Sequence, residues 1–281
     1  MKISGFSMGR NLIKFGYPVY EAITSILSIC DEFIMNVGDS EDDTLEIVKS
    51  INSPKMKIIR SVWDPKMRKG AHVIAYQTNI ALAECTGDWA FHIQADECVH
   101  EKYLPVIREN LEKHLNDSDV DGFTFRYLHF YGSYSKIAAP EWDWYKETIR
   151  IVRNNRTMIS DNDAISFRKL RFYKARMTPN CTIDFNRQYT RRLIDFLTPS
   201  VRNIPSGAEI YHYGWARPPE TMMKKKIELD SLYSPKAPKL NDHPMKDHTF
   251  DYGNTSSLPD FKGTHPQVMR KRIEEWQKSS I

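Results

Sequence analysis

The segment "DWAFHIQADECVHE", Asp88 to Glu101, decides how this chain is read. It begins as a run of strand-forming residues, Trp89 to Ile93, and stops at two adjacent carboxylates, Asp96 and Glu97. A fold gains little from charge at the end of a buried strand. Both carboxylates are therefore expected at the mouth of a site.

Upstream, short apolar runs alternate with amphipathic ones. "KISGFSM" reads as a strand and "YPVYEAITSILSIC" as a helix with Pro18 near its first position. "DEFIMNV" is a second strand; the polar "GDSEDD" then leads into the helix "TLEIVKSI", where Asp43 and Glu46 have the spacing of a capping box. "MKIIR", the helix "GAHVIAYQTNIALAEC" closed by Gly87, and "WAFHIQ" complete the series. This alternation predicts an α/β fold with a mixed, mainly parallel sheet flanked by helices, and ligands beyond the carboxyl ends of the strands. A helix from Pro105 to Leu115 and two later, antiparallel strands, "GFTFRYLHFYG" and "ETIRIVRN", follow. Beyond Asp161 the pattern weakens; residues 234–263 read as extended loop and "HPQVMRKRIEEWQKSS" as a closing helix.

The chain has 281 residues, with 41% hydrophobic, 27% charged and 12% aromatic, which is the composition of a folded globular protein and excludes disorder or a collagen-like fibre. Cys30, Cys85, Cys98 and Cys181 form no CxxC pair and no regular spacing, so they read as reduced thiols of a cytosolic protein. No secretory leader and no membrane-spanning stretch is evident. The net charge is only +4, but residues 150–192 carry 11 Lys/Arg against 3 Asp/Glu, and "MKKK" follows at 223–226. Such a face suits phosphates, an anionic membrane or nucleic acid, and is equally a solvated surface. No helix-turn-helix, RRM or zinc-finger pattern accompanies it, so nucleic acid is not expected as a partner.

Asp96, leaving a strand at a cleft, suits Mg²⁺ or Mn²⁺, which need one or two protein carboxylates when a ligand's phosphates supply the rest. It also suits an N-cap. The crowding of Asp96, Cys98, His100 and Glu101 raises a zinc site, without a matching second cluster. In "VGDSEDDT", Asp39, Ser40 and Asp42 can meet a base or ribose, or serve the turn. His212 in "YHYGW" is either a hydrogen-bonded core residue or a metal or phosphate ligand. In "SDNDAISFRK", Asp161 and Asp163 are turn residues or a general base.

The ordered set "SMGRN", "SILSICDEFIMNVGDSEDDTLEIV", "KG" before "QTNIAL", "GDWAFHIQADE" and "IYHYGW" resembles the family 2 glycosyltransferases of GT-A fold, over Lys2 to Arg217. The resemblance implies residues 1–217 as the transferase domain, with 1–100 holding a nucleoside-diphosphate sugar and 101–217 the acceptor, and 218–281 as an extension. It implies Mg²⁺ or Mn²⁺ on Asp96, where Gln94 replaces the first carboxylate of a D-x-D motif and is left to meet the ribose. His212 matches a histidine that joins the metal or diphosphate site. In the nucleotide loop Ser40, Asp42 and Thr44 match, while Val37 and Gly38 stand where a leading aspartate pair is usual, so base recognition passes to Asp39 or to backbone groups. Asp163, then Asp161, is the implied acceptor base.

The expected reaction is inverting, metal-assisted transfer of a sugar to a glycan or lipid-linked acceptor, as in the assembly of bacterial cell-surface polysaccharide. The aromatic "HFYGSY" and "PEWDWY" are candidates for an acceptor wall. The protein is expected in the cytoplasm, with peripheral contact at the inner membrane face left open. A sugar nucleotidyltransferase, for which "FSMGRNLIKFGYP" is a poor phosphate loop, and a non-catalytic nucleotide-sugar-binding protein are the rivals.

Overall fold

The computed structural model describes residues 1–64, 67, 71–155, 157–161, 163–170, 200–233 and 249–279. An eight-stranded sheet runs through it in the order β3-β2-β1-β4-β7-β6-β10-β5. Its parallel half is β1 (Ile3–Gly9), β2 (Glu32–Val37), β3 (Met56–Arg60) and β4 (Trp89–His92). The connections are α1 (Val19–Leu27), α2 (Thr44–Lys49) and α3 (His72–Ala83). β3 and β4 lie on opposite sides of β1, so the chain reverses its direction of travel across the sheet there. A crevice opens beyond the carboxyl ends of β1 and β4 for that reason.

The second half is antiparallel in part. β7 (Glu147–Arg153) pairs antiparallel with β4 and with β6 (Gly122–Tyr131). β10 (Asn203–Trp215) runs parallel to β6, and β5 (Glu97–Val99) lies antiparallel on its outer edge. α4 (Leu104–Lys113), α5 (Pro219–Tyr233) and α6 (Arg270–Ser279) complete the elements used below, with a separate hairpin of β8 (Met158–Asp161) and β9 (Ser166–Lys169).

Alternation along each strand divides the core in two. Phe33 and Met35 join Ile23, Ile26, Phe91 and Phe125 in one layer, while Ile34 joins Phe6, Leu82, Ala90 and Phe167 in the other. The first layer lies under α1 and α4; the second lies under α3 and the β8–β9 hairpin. The mixed, mainly parallel α/β sheet expected from the strand and helix periods is present.

Three local expectations are corrected. Asp43 makes no side-chain cap bond, so no capping box forms; Asp42 instead accepts from Thr44 N at 3.1 Å and from Lys14 N at 2.7 Å, pinning the turn to the loop after β1. Gly87 does not close α3, whose C-cap is Glu84. It is required by close approach, since a Cβ there would stand 2.7 Å from the Lys2 carbonyl oxygen. The weak pattern beyond Asp161 conceals the β8–β9 hairpin, the 13-residue β10 and the 15-residue α5.

Cys30, Cys85 and Cys98 are free and buried, and Cys181 lies outside the described residues. So do Lys69 and Gly70, and most of the basic stretch 150–192. No helix among the described residues is long and apolar enough to cross a membrane.

Candidate active site

A cavity of about 310 Å³ occupies the crevice at the carboxyl ends of β1 and β4. One wall is the segment after β1, Gly9 to Leu12, with Trp63; the floor is His92 and Gln94 to Asp96; α5 closes it with Lys225, Glu228, Leu229, Leu232 and Tyr233. Asp163, Tyr145, His212 and Trp215 complete the lining.

Asp96 and Glu97 part company at this point. Glu97 turns into the core, fully buried, where Arg150 Nε and Nη2 donate to its two oxygens at 2.9 and 2.6 Å. Tyr127 Oη at 2.7 Å and the Gln94 amide at 3.0 Å complete its bonds. It is not at the mouth of the site: a turn closed by Glu97 N donating to the Gln94 carbonyl at 3.0 Å carries Asp96, and Glu97 opens β5 beyond it, within reach of Arg150.

Asp96 faces the cavity instead. Its Oδ2 accepts from Lys225 Nζ at 3.0 Å and from Arg217 Nη2 at 3.4 Å, and His212 Nε2 is 3.7 Å away. Lys225 also donates to the Gly214 carbonyl at 2.8 Å. Both cations lie over the Tyr17 ring, Arg217 at 4.3 Å and Lys225 at 4.9 Å, which adds cation–π attraction. Gly214 has to lack a side chain, because a Cβ would meet the His212 ring at 2.4 Å.

The charge states follow. Burial raises the Asp96 carboxyl, but Lys225 and Arg217 outweigh it and hold the group well below the usual carboxylate range. Burial and then Arg217 pull the Lys225 ammonium down to about 8 against Asp96, so it keeps its proton at neutral pH. Burial pushes His212 well below its ordinary value, leaving a neutral ring.

The tautomer of His212 is assigned from its network. His129 Nε2 lies 2.8 Å from the Tyr145 carbonyl, which only accepts, so the proton is on Nε2. His129 Nδ1 then accepts from His212 Nδ1 at 2.9 Å. The His212 Nε2 lone pair is left facing Asp96.

A carboxylate oxygen and an imidazole lone pair at this separation are a plausible pair of ligands for one small dication. The charges around them are not. Among the described residues no third His, Cys, Asp or Glu joins the pair. The ammonium already holds the carboxylate, and at about 4 Å and an effective dielectric constant near 20 its repulsion of a dication, roughly 8 kcal/mol, cancels the carboxylate's attraction at the same distance. The cluster as built does not fit a resident Mg²⁺ or Mn²⁺. Nor do Asp96, Cys98, His100 and Glu101 make a zinc site: Cys98 is sealed in the core, and His100 bonds Thr264 Oγ1 at 2.9 Å.

The remaining candidates divide. Gln94 lines the cavity and donates to the Ala164 carbonyl at 3.4 Å. Asp163 lines it too, and Tyr233 Oη donates to its Oδ2. Asp161 is taken by Arg168 across the β8–β9 hairpin and is not part of the lining. Asp39, Ser40 and Asp42 also lie off the lining and tie loops together: Asp39 pairs with Arg10 at 3.1 Å, and Ser40 accepts from the Asn11 amide at 3.1 Å.

Sequence reasoning missed Trp63, Lys225 and Glu228. Trp63 packs over Gly38, where a Cβ would stand 2.4 Å from its Nε1, and that buried N–H has no partner among the described residues. The glycine at a position where the resemblance implies an aspartate was the available signal. Lys225 was hidden in a Lys run, yet Met222, Lys225, Leu229 and Leu232 share a helical stripe, which marks a buried lysine.

No family model matches the chain. Over 118 residues it is 29% identical to an uncharacterized glycosyltransferase of Rickettsia typhi, covering 41% of this chain and 35% of that protein. The chain thus matches about a third of the length of that curated relative. Among solved structures, S. aureus TarS is similar at 14% identity and a TM-score of 0.42, over 82% of this chain and 39% of that one. Glucosyl-3-phosphoglycerate synthase from Mycobacterium tuberculosis, in complex with Mn²⁺, UDP and glucosyl-3-phosphoglycerate, is similar at 17% identity and 0.32, over 47% and 45%. The curated relative is named a glycosyltransferase, and superpositions at these scores assign neither family nor activity to this chain.

Proposed function

We propose that this protein is an inverting glycosyltransferase that moves a sugar from a nucleoside-diphosphate sugar to a glycan or lipid-linked acceptor. One observation carries the reading: the crevice at the carboxyl ends of β1 and β4 holds a buried cluster of Asp96, Lys225, Arg217 and His212, and a second carboxylate, Asp163, lines the same cavity. Direct displacement needs those two things, fixed positive charge for the departing diphosphate and a base for the attacking hydroxyl.

Asp163 takes the acceptor proton, and Tyr233 orients it by donating to Oδ2. Trp63, packed over Gly38, walls the base side of the cavity, and Gln94 meets the ribose. Trp215 and Tyr145 line the cavity and continue into Trp142, Trp144 and Tyr131, with ring centroids 4.9–6.1 Å apart along the Tyr131, Trp142, Trp144 and Trp215 contacts. That half-buried aromatic surface is the acceptor wall. The expected site of action is the cytoplasm, with lipid-linked acceptors reached at the membrane face.

Among the described residues Asp96 and His212 are the pair that could hold Mg²⁺ or Mn²⁺, which would stabilise charge on the departing diphosphate. The test is nucleotide release from a panel of UDP-, GDP- and dTDP-sugars with lipid and oligosaccharide acceptors. Release of one nucleotide, lost in Asp163→Asn, supports transfer; tight donor binding with no release from any acceptor favours a binding protein, with Gln94 as the first suspect.

A further inference from the structure

Lys225 is unusual for a lysine in three respects. It is 5% exposed, it sits on the apolar stripe of α5 between Met222 and Leu229, and it is held by two oxygens, Asp96 Oδ2 and the Gly214 carbonyl, at 3.0 and 2.8 Å. A lysine is rarely buried unless paired, and burying one costs stability even then. Arg217 beside it is 1% exposed and spends its other contacts on the Phe15 carbonyl and the Tyr17 ring, with Nε unpartnered among the described residues. One carboxylate therefore carries two buried cations. Counting Asp96, Lys225 and Arg217 alone, the cluster has a net charge of about +1, and Glu228 and Asp163 line the same cavity at its edge.

We propose that the Lys225 ammonium, braced by Arg217 and oriented by Asp96, is the fixed cation of this cavity and neutralises the donor's diphosphate without a resident divalent ion. The inference rests on the transferase reading and deepens it. Three features agree. Lys225 lines the cavity, so its ammonium adjoins the space a donor would fill. Asp96 is consumed in holding Lys225, which explains a conspicuous acidic residue without an ion. Gln94, neutral and bonded to the Ala164 carbonyl, removes the second carboxylate that a dication would use. The charge is borne by a group fixed in the fold, and no reorganisation is needed as negative charge grows on the leaving phosphate.

The experiment is calorimetry of UDP, GDP and dTDP on the full chain, with EDTA and with Mn²⁺, alongside Mn²⁺ binding followed by electron paramagnetic resonance. The expected result is one nucleotide bound equally in both conditions, within twofold, with no stoichiometric Mn²⁺ uptake by the wild type. Lys225→Met should weaken nucleotide binding at least tenfold and, by freeing Asp96 and His212, allow the protein to take up Mn²⁺; Lys225→Arg should restore most of the EDTA-resistant binding. If Lys225→Met does not fold, the wild-type comparison decides alone. Nucleotide binding that needs Mn²⁺, or one Mn²⁺ taken up by the wild type and lost in Asp96→Asn, overturns this inference and spares the transferase reading. Failure of all three nucleotides to bind in either condition overturns both.

Discussion

Two buried carboxylates one residue apart, Glu97 and Asp96, have opposite surroundings. Glu97 is closed off: a bidentate guanidinium, a tyrosine hydroxyl and a backbone amide use its oxygens, and it is not part of the cavity lining. Asp96 is open: two cations crowd one of its oxygens, an imidazole lone pair points at it, and 310 Å³ of space lies alongside. Burial is common to both, so burial does not mark function. A cluster whose charges balance internally supports the fold, and one left with excess charge beside a cavity is prepared for a ligand.

The contrast can be broken from the sealed side first. Arg150→Met leaves the Glu97 carboxylate uncompensated in the core and is expected to cost about 3–5 kcal/mol, read as a lower urea midpoint. A change under 1 kcal/mol would mean that water reaches Glu97. On the open side, Asp163→Asn is expected to lower turnover about 100-fold, close to 2.7 kcal/mol, while donor binding and melting temperature stay near wild type. Equal loss of donor affinity would move Asp163 from acceptor base to donor contact. Trp63→Ala removes the ring that walls the base side and should weaken nucleotide binding about fivefold, while Trp63→Phe, which keeps a ring over Gly38, should change it less than about twofold. An equal loss in Trp63→Phe would show that the buried N–H reaches the base.

Much of the fold was legible because each of the first three strands is bounded by its own turn and followed by a helix. Val19, Ala22, Ile23 and Ile26 face the core as their spacing predicts. The candidate site was legible only in part. Asp96, Gln94, His212 and Asp163, singled out in the sequence, line one cavity. Asp39, Ser40 and Asp42 were misleading, since acidic and hydroxyl side chains also fasten turns, and here that use consumes them. Lys225 carried a signal, the helical stripe it shares with Met222, Leu229 and Leu232, which the lysine run around it obscured. Glu97 needed the fold itself: adjacent carboxylates look alike in sequence, and here a turn before β5 separates them.

A third buried polar cluster, on the far side of β10, gives the smallest effect and the sharpest check on the sealed class. His265 sits among Phe130, Tyr213 and Phe261, and the Tyr213 hydroxyl is 2.9 Å from its Nδ1. Burial drags its pKa from 6.5 down to about 4 in the folded protein. Between those values the unfolded chain binds the proton and the folded one does not, so stability rises with pH across this window and is lost as the pH falls from 6.5 towards 4. His92, His100, His129 and His212, also lowered by burial, add to the slope in the same direction. His265→Phe removes the titrating group and keeps the ring. It should make the dependence of the urea midpoint on pH between 4 and 6.5 shallower by the share of one histidine without touching nucleotide binding, because no atom of the cavity lining contributes to this cluster. A slope that survives intact would place the acid sensitivity on His100 or elsewhere and show that this pocket admits a charged ring. In that case closure would be a property of the Glu97 cluster alone, and excess charge beside a cavity would lose its value as the sign of a site.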